Sequence, residues 1–124
     1  MFSIIFPGQG SQLVGMGKEF YEKYAVVRNL FNEADETLGF SLSKLILEGP
    51  KEELDLTENT QPAIFLLSYS IFKLVKDEFN INLSKANFFA GHSLGEYSAL
   101  ASAGVLTFAD TLKILKIRGK AMQS

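Results

Sequence analysis

The 124-residue sequence contains no cysteine, which excludes disulfides, thiolate metal sites and a thiol nucleophile within these residues. Histidine is nearly as scarce. The only one is His92, although a serine nucleophile ordinarily needs a base within hydrogen-bond reach. Long apolar runs are missing as well, and no stretch reaches the roughly 18 apolar residues of a membrane span. Met1-Phe2-Ser3-Ile4-Ile5-Phe6-Pro7 has no basic segment and breaks at proline after few apolar residues, unlike a signal peptide. The expectation is a soluble, cytoplasmic chain with no membrane partner. Excess charge of one sign is lacking too: the formal net charge is -2, so no general attraction to nucleic acid is expected. Internal repeats and low-complexity linkers are absent from the sequence. What remains, 47% hydrophobic and 21% charged, is the composition of at most one globular domain. It is long enough for a core but short for a large α/β enzyme.

Chemistry concentrates in Phe88-Phe89-Ala90-Gly91-His92-Ser93-Leu94-Gly95-Glu96-Tyr97. Gly91-His92-Ser93-Leu94-Gly95 follows the G-x-S-x-G pattern of a nucleophile elbow, a strand-to-helix turn that lifts a serine hydroxyl clear of the sheet. Glycines let strand and helix approach closely, and the helix after Ser93 aims unpaired backbone N–H groups at whatever reacts there. The pattern is short enough to recur by chance, so its setting has to decide. Residues 86–90 read as the strand entering the turn and 94–103 as the helix leaving it. Small residues Ser98, Ala99, Ala101, Ser102 and Ala103 permit close packing on a sheet, and Gly104 is the stop. Neighbouring side chains on an extended chain point to opposite faces, so His92 reads as a turn-packing or supporting residue rather than the base of Ser93.

Upstream, Ser3-Ile4-Ile5-Phe6 reads as a short buried strand ended by Pro7 and the loop Gly8-Gln9-Gly10-Ser11-Gln12, which continues to Gly15 and Gly17. A dinucleotide fingerprint needs G-x-G-x-x-G; here the third glycine comes two positions late, and Pro7 removes an N–H beside the turn. Residues 18–38 carry an apolar stripe at helical spacing, as one broken helix or two, with Gly39 as C-terminal stop. Ser41 or Ser43 is the expected cap of a short helix to Leu47, closed by Gly49-Pro50, and residues 51–54 form another short turn. In residues 57–79, Pro62 suits the first turn of a helix capped by Asn59 or Thr60. Its next residues, Ala63-Ile64-Phe65-Leu66-Leu67, are apolar on every side, which requires burial on every side. So short a chain is not expected to surround such a helix alone.

The last helix opens at Thr107, with Asp110 three residues on in capping-box style. At about 100° per residue, Phe108, Leu112, Leu115, Gly119 and Met122 share one face. Lys113, Lys116 and Lys120 fall on the opposite, solvated side, a stripe that is either a plain solvated face or a surface for an acidic partner. Arg118 stands at the edge of the apolar face, where a guanidinium is costly unless paired with an anion, so its place needs an explanation. A salt bridge to a local acid such as Glu96, a snorkelling stem, and a bidentate clamp for a substrate carboxylate all satisfy that need. No C-cap glycine or proline follows Met122 and Gln123, so the helical pattern is expected to run past Ser124. Two strands with helices after each imply parallel α/β packing, and two strands alone do not make an independent core.

Taken together and in order, Phe6-Pro7-Gly8-Gln9-Gly10-Ser11-Gln12, Thr60-Gln61-Pro62-Ala63, Gly91-His92-Ser93-Leu94-Gly95-Glu96-Tyr97 and Arg118-Gly119-Lys120-Ala121-Met122 closely resemble the malonyl-CoA:acyl carrier protein transacylase family of fatty-acid synthesis. They also resemble the related acyltransferase domains of polyketide synthases. The likeness covers essentially the whole sequence and corresponds to the N-terminal part of that family. It implies an α/β-hydrolase-like acyltransferase core of parallel strands and packed helices, incomplete without a C-terminal remainder. The small ferredoxin-like subdomain and the catalytic histidine of the family belong to later segments, absent from residues 1–124. Carried over, the resemblance makes Ser93 the nucleophile that accepts a malonyl group as an ester. It makes the backbone N–H groups of Gln9 and Leu94 the oxyanion hole and Arg118 the residue that binds the malonyl carboxylate. Gln61 and His92 take supporting roles, His92 beside the nucleophile and not as its base. Malonyl-CoA is the implied substrate and the phosphopantetheine thiol of acyl carrier protein the acceptor, in ping-pong order, with no metal and no bound cofactor. Without the general base, these residues alone are expected to be inactive. Two other readings stay open. A serine carboxylesterase of α/β-hydrolase type shares the elbow but leaves Arg118 and the Gln9 loop without a role. A non-catalytic fragment would act only by association.

Overall fold

The helix that the sequence makes apolar on every side is the one around which the others pack. The computed structural model describes residues 4–6, 10, 12–78, 89–91 and 94–123. Its elements in chain order are β1 (Ile4–Phe6), α1 (Lys18–Lys23), α2 (Ala25–Leu38), α3 (Leu42–Glu48), α4 (Lys51–Leu54), α5 (Thr57–Glu78), β2 (Phe89–Gly91), α6 (Leu94–Ser102) and α7 (Phe108–Gln123). α7 lies along α5 in the most extensive pairing of elements, and α2, α6, α4 and α3 close around the rest of α5. As expected for so short a chain, these elements do not surround the helix completely, since Leu67, Tyr69, Ile71 and Val75 stay partly exposed, but they bury most of its N-terminal half. Thr60, Gln61, Ala63, Ile64, Phe65 and Leu66 are all buried. Ala63, Ile64, Phe65 and Leu66 join one core with Phe31 of α2, Ile46 of α3, Leu54 of α4 and Leu112 and Leu115 of α7. Each such apolar side chain contributes about 1.5–3 kcal/mol through burial. Phe108 adds aromatic contacts with Phe65 and Tyr69, at centroid distances of 5.6 and 5.1 Å.

Local signals set most of the boundaries. Tyr24, extended at φ -120 and ψ 123, divides the 18–38 stripe into two helices. Gly39 at φ 76 ends α2, its N–H donating to the Asp35 carbonyl. The cap of α3 differs from the expectation. Ser41 precedes the helix without a side-chain cap bond, and Asp35 instead accepts the Ser43 backbone N–H at 2.8 Å. An acid on the neighbouring helix thus serves where a serine was expected.

The start of α5 also differs. The helix opens at Thr57, and Pro62 lies inside it rather than in its first turn. The turn before the proline is held from outside. Asn59 Nδ2 donates to the Glu53 carbonyl at 2.9 Å, while Thr60 Oγ1 bonds the Leu54 carbonyl and, at 3.0 Å, that of Leu56. Proline removes one donor from the ladder, and these bonds from the α4 side keep the extra turn helical. At α7 the Thr107 cap is present, its Oγ1 accepting the Asp110 N–H at 3.1 Å.

β1 and β2 pair in parallel, with Ile4 opposite Phe89, Ile5 opposite Ala90 and Phe6 opposite Gly91; α6 packs against both strands. Ser3 and residues 86–88, expected in these strands, lie outside the described residues. No helix among the described residues is long and apolar enough to cross a membrane.

Candidate active site

Parallel pairing of Phe6 with Gly91 puts the C-terminal ends of both strands at one edge of the sheet. From those two ends the sequence runs on to Gln9 and to Ser93. Gln9, His92 and Ser93 themselves lie outside the described residues. β2 ends at Gly91 and α6 opens at Leu94, so the two residues between them in sequence join a strand to a helix, the context that a nucleophile elbow needs. Leu94 is buried, with 1% of its surface exposed, as the first residue of α6. The first four N–H groups of a helix have no partner within it, so the Leu94 N–H belongs to a set that can donate to an oxyanion.

Arg118 of α7 reaches the same end of α6. Its Nη1 donates to Gln61 Oε1 at 2.6 Å, and its Cζ stands 5.5 Å from the centre of the Tyr97 ring. Tyr97 is one turn into α6, three residues after Leu94. The guanidinium is therefore flanked by an amide from α5 and an aromatic face from α6, a cation–π contact of about 0.5–1 kcal/mol when partly solvated. Gln61 is fully buried, and its Nε2 donates to Met122 Sδ at 3.0 Å. The polar environment that Arg118 requires at the edge of an apolar face is thus supplied in part by Gln61. The side chain of Glu96, an expected alternative partner, lies outside the described residues.

Two expectations for α7 are corrected. Lys116 is not on a solvated stripe. Its side chain is 21% exposed and meets Glu58 Oε2 at 3.3 Å. It also donates to Asn59 Oδ1 at 2.7 Å and lies 4.5 Å over the Phe40 ring. Lys113 and Lys120 remain exposed. Met122, placed on the buried face by periodicity, is 55% exposed: the helix passes beyond the core there, and the sulfur is held by Gln61.

Gln12 and Asp55 were not singled out from the sequence. Gln12 Oε1 accepts the Gly10 N–H at 2.8 Å, and its Nε2 donates to Asp55 Oδ1 at 3.1 Å, tying the glycine loop to the end of α4. The Lys51 ammonium, then the Gln12 amide, holds the Asp55 carboxyl below the usual carboxylate range. Gln12 lies in the same motif as Gln9, the available signal; nothing local marks Asp55. Among the described residues no cluster of three or more His, Asp or Glu side chains could hold a metal ion.

Solved structures place the fold among the acyltransferases. It matches an acyl carrier protein S-malonyltransferase from Vibrio cholerae with a TM-score of 0.93 and 46% identity, over 99% of this chain and 39% of that one. The match to a malonyl-transacylase solved in complex with its type II PKS acyl-carrier protein has a TM-score of 0.91 and 42% identity, over 98% of this chain and 38% of the other. Residues 3–124 match the acyl transferase domain family, and the chain belongs to that family. A curated relative, the malonyl CoA-acyl carrier protein transacylase of Bacillus subtilis (strain 168), is 49% identical over 120 residues, 97% of this chain and 37% of its own length. The chain spans well under half the length of these relatives.

Proposed function

We propose that the protein carrying these residues transfers a malonyl group from malonyl-CoA to the phosphopantetheine thiol of acyl carrier protein, in the cytoplasm, as a step of fatty-acid synthesis. The observation that carries the reading is Arg118, held by the buried Gln61 and placed over the Tyr97 ring at the opening turn of α6. An arginine presents N–H donors in a planar fork that matches a carboxylate, and malonyl differs from acetyl by that carboxylate alone. Relatives of the same family that are named for malonyl transfer support it. The 124 residues are the N-terminal part of a large α/β-hydrolase-like subdomain, and a histidine outside them serves as the base.

In the proposed sequence the Ser93 Oγ attacks the thioester carbonyl, giving up its proton to the base. The C–S bond breaks, and coenzyme A leaves as the thiol with that proton. The carrier thiol then attacks the serine ester, its proton passes back to Ser93 Oγ, and the C–O bond breaks. Dividing the exchange in this way lets one site serve two large thiols in turn. The N–H groups of Leu94 and Gln9 receive the oxyanion in both halves, each worth about 3–4 kcal/mol in comparable sites.

Arg118→Ala in the full-length protein tests the reading. A hydrogen-bonded charge is worth roughly 1.5–3 kcal/mol, so malonyl kcat/KM is expected to fall about ten- to a hundredfold relative to acetyl. An unchanged preference for malonyl over acetyl refutes it. The carboxylesterase alternative predicts ester hydrolysis in place of transfer to a carrier thiol and gives Arg118 no task.

A further inference from the structure

Gly119, next to Arg118, is buried within α7. A glycine inside a helix is unfavourable relative to alanine, and the α5–α7 contact supplies its reason. A Cβ at position 119 would stand 2.5 Å from Glu58 Cα, 2.6 Å from the Thr57 carbonyl oxygen and 2.9 Å from Glu58 N. All three are backbone atoms, so no change of rotamer relieves the overlap. Gly17 makes the contrast: a Cβ there would also come within 2.5 Å of an atom, but that atom is Leu67 Cδ1, the end of a side chain that can turn away.

Polar links flank this backbone contact. On one side Lys116 reaches Glu58 and Asn59. On the other, Arg118 donates to Gln61 and Gln61 donates to Met122. The opening turns of α5 are therefore matched, residue against residue, to residues 116–122 of α7, with Gly119 where the two backbones meet.

We propose that Gly119 is a positioning residue: its contact with Thr57 and Glu58 sets the separation of α7 from α5, and with it the place at which Arg118 meets a carboxylated acyl group. The inference rests on the malonyl-transfer reading above. Restoring an ordinary carbon contact for an added methyl requires the helices to part by roughly 1 Å, a displacement that can cost on the order of a hundredfold in a positioned site.

The test is the rate of ester formation on Ser93 from malonyl-CoA and from acetyl-CoA, followed by intact-protein mass spectrometry in the full-length protein. Gly119→Ala is expected to retain its helical circular dichroism and to lower the malonyl-to-acetyl ratio of kcat/KM at least tenfold. A wild-type ratio in folded Gly119→Ala, while Arg118→Ala loses the ratio, overturns the positioning role and leaves the function standing. A wild-type ratio in Arg118→Ala overturns both. If Gly119→Ala does not fold, Lys116→Met decides, since it loosens the same junction without adding bulk at the backbone contact. A severalfold fall in the ratio supports the proposal, and a wild-type ratio overturns it.

Discussion

Gln61 is an amide at a position where a carboxylate would bind the guanidinium more tightly. It is fully buried, and its Oε1 accepts from Arg118 at 2.6 Å while Met122 Sδ takes its Nε2. A neutral acceptor orients the arginine without adding negative charge beside it. A glutamate would form an ion pair in the same place and, on the proposed malonyl-transfer reading, repel an arriving carboxylate, since two unit charges near 4 Å interact by about 4 kcal/mol at an effective dielectric constant of 20. Gln61→Glu is therefore expected to fold and to reduce the preference for malonyl over acetyl by at least tenfold, about 1.4 kcal/mol. Gln61→Ala, which removes the orientation and adds no charge, is expected to reduce it less. Competing rates with the two acyl-CoAs measure both, and equal losses in the two variants would mean that charge at position 61 is irrelevant.

At the scale of elements, α4 is four residues long and still connects to the glycine loop through Asp55 and Gln12. Asp55 is exposed enough for solvent to compete, so the link orients the loop and adds little to global stability. Its depressed folded-state pKa fixes the sign of the pH effect: the carboxylate contact is present above the ordinary Asp value and is lost as pH falls through the lower folded value. On the proposed malonyl-transfer reading, Asp55→Ala is expected to slow ester formation severalfold with malonyl and acetyl alike, because its link runs to Gln12 and Gly10 and not to Arg118. A change in the acyl ratio would contradict that division. These tethers also show what the sequence could carry. Gly39, Gly104, Thr107 and the split of residues 18–38 were legible because their causes are local: a left-handed φ, a cap, a stripe at helical spacing. The start of α5 was not, since Thr57 to Thr60 are held helical by carbonyls of α4 and its connection. Lys116 left its expected face because Glu58, Asn59 and Phe40 meet it from distant stretches of chain. Arg118 stood out as a cation at an apolar edge, but its amide partner lies 57 positions away and no periodicity links the two. The G-x-S-x-G pattern, by contrast, was plain in sequence, and the strand before it ends at Gly91 and the helix after it opens at Leu94.

Across the whole molecule, apolar burial and strand pairing are unequally distributed. The buried cluster joins α2, α3, α4, α5, α6 and α7, whereas β1 and β2 share three register pairs in a two-stranded sheet among the described residues. Such a pair is marginal without packing, and α6 is its main cover. The helices should therefore open last, and the strand amides should exchange through smaller, local openings. Phe65 separates the two levels because it is fully buried in α5 and touches the rings of Tyr69 and Phe108. Phe65→Ala is expected to cost about 3–5 kcal/mol, a large share of the 5–15 kcal/mol typical of a domain. Native-state hydrogen exchange on the full-length protein should then show α2, α5 and α7 accelerating together. The amides of Ile4–Phe6 and Phe89–Gly91, expected to exchange faster without the substitution too, should change much less. Acceleration of the strands by the same factor as α5 would instead make sheet and helices one cooperative unit, with the site's two strand ends as stable as the core beneath them.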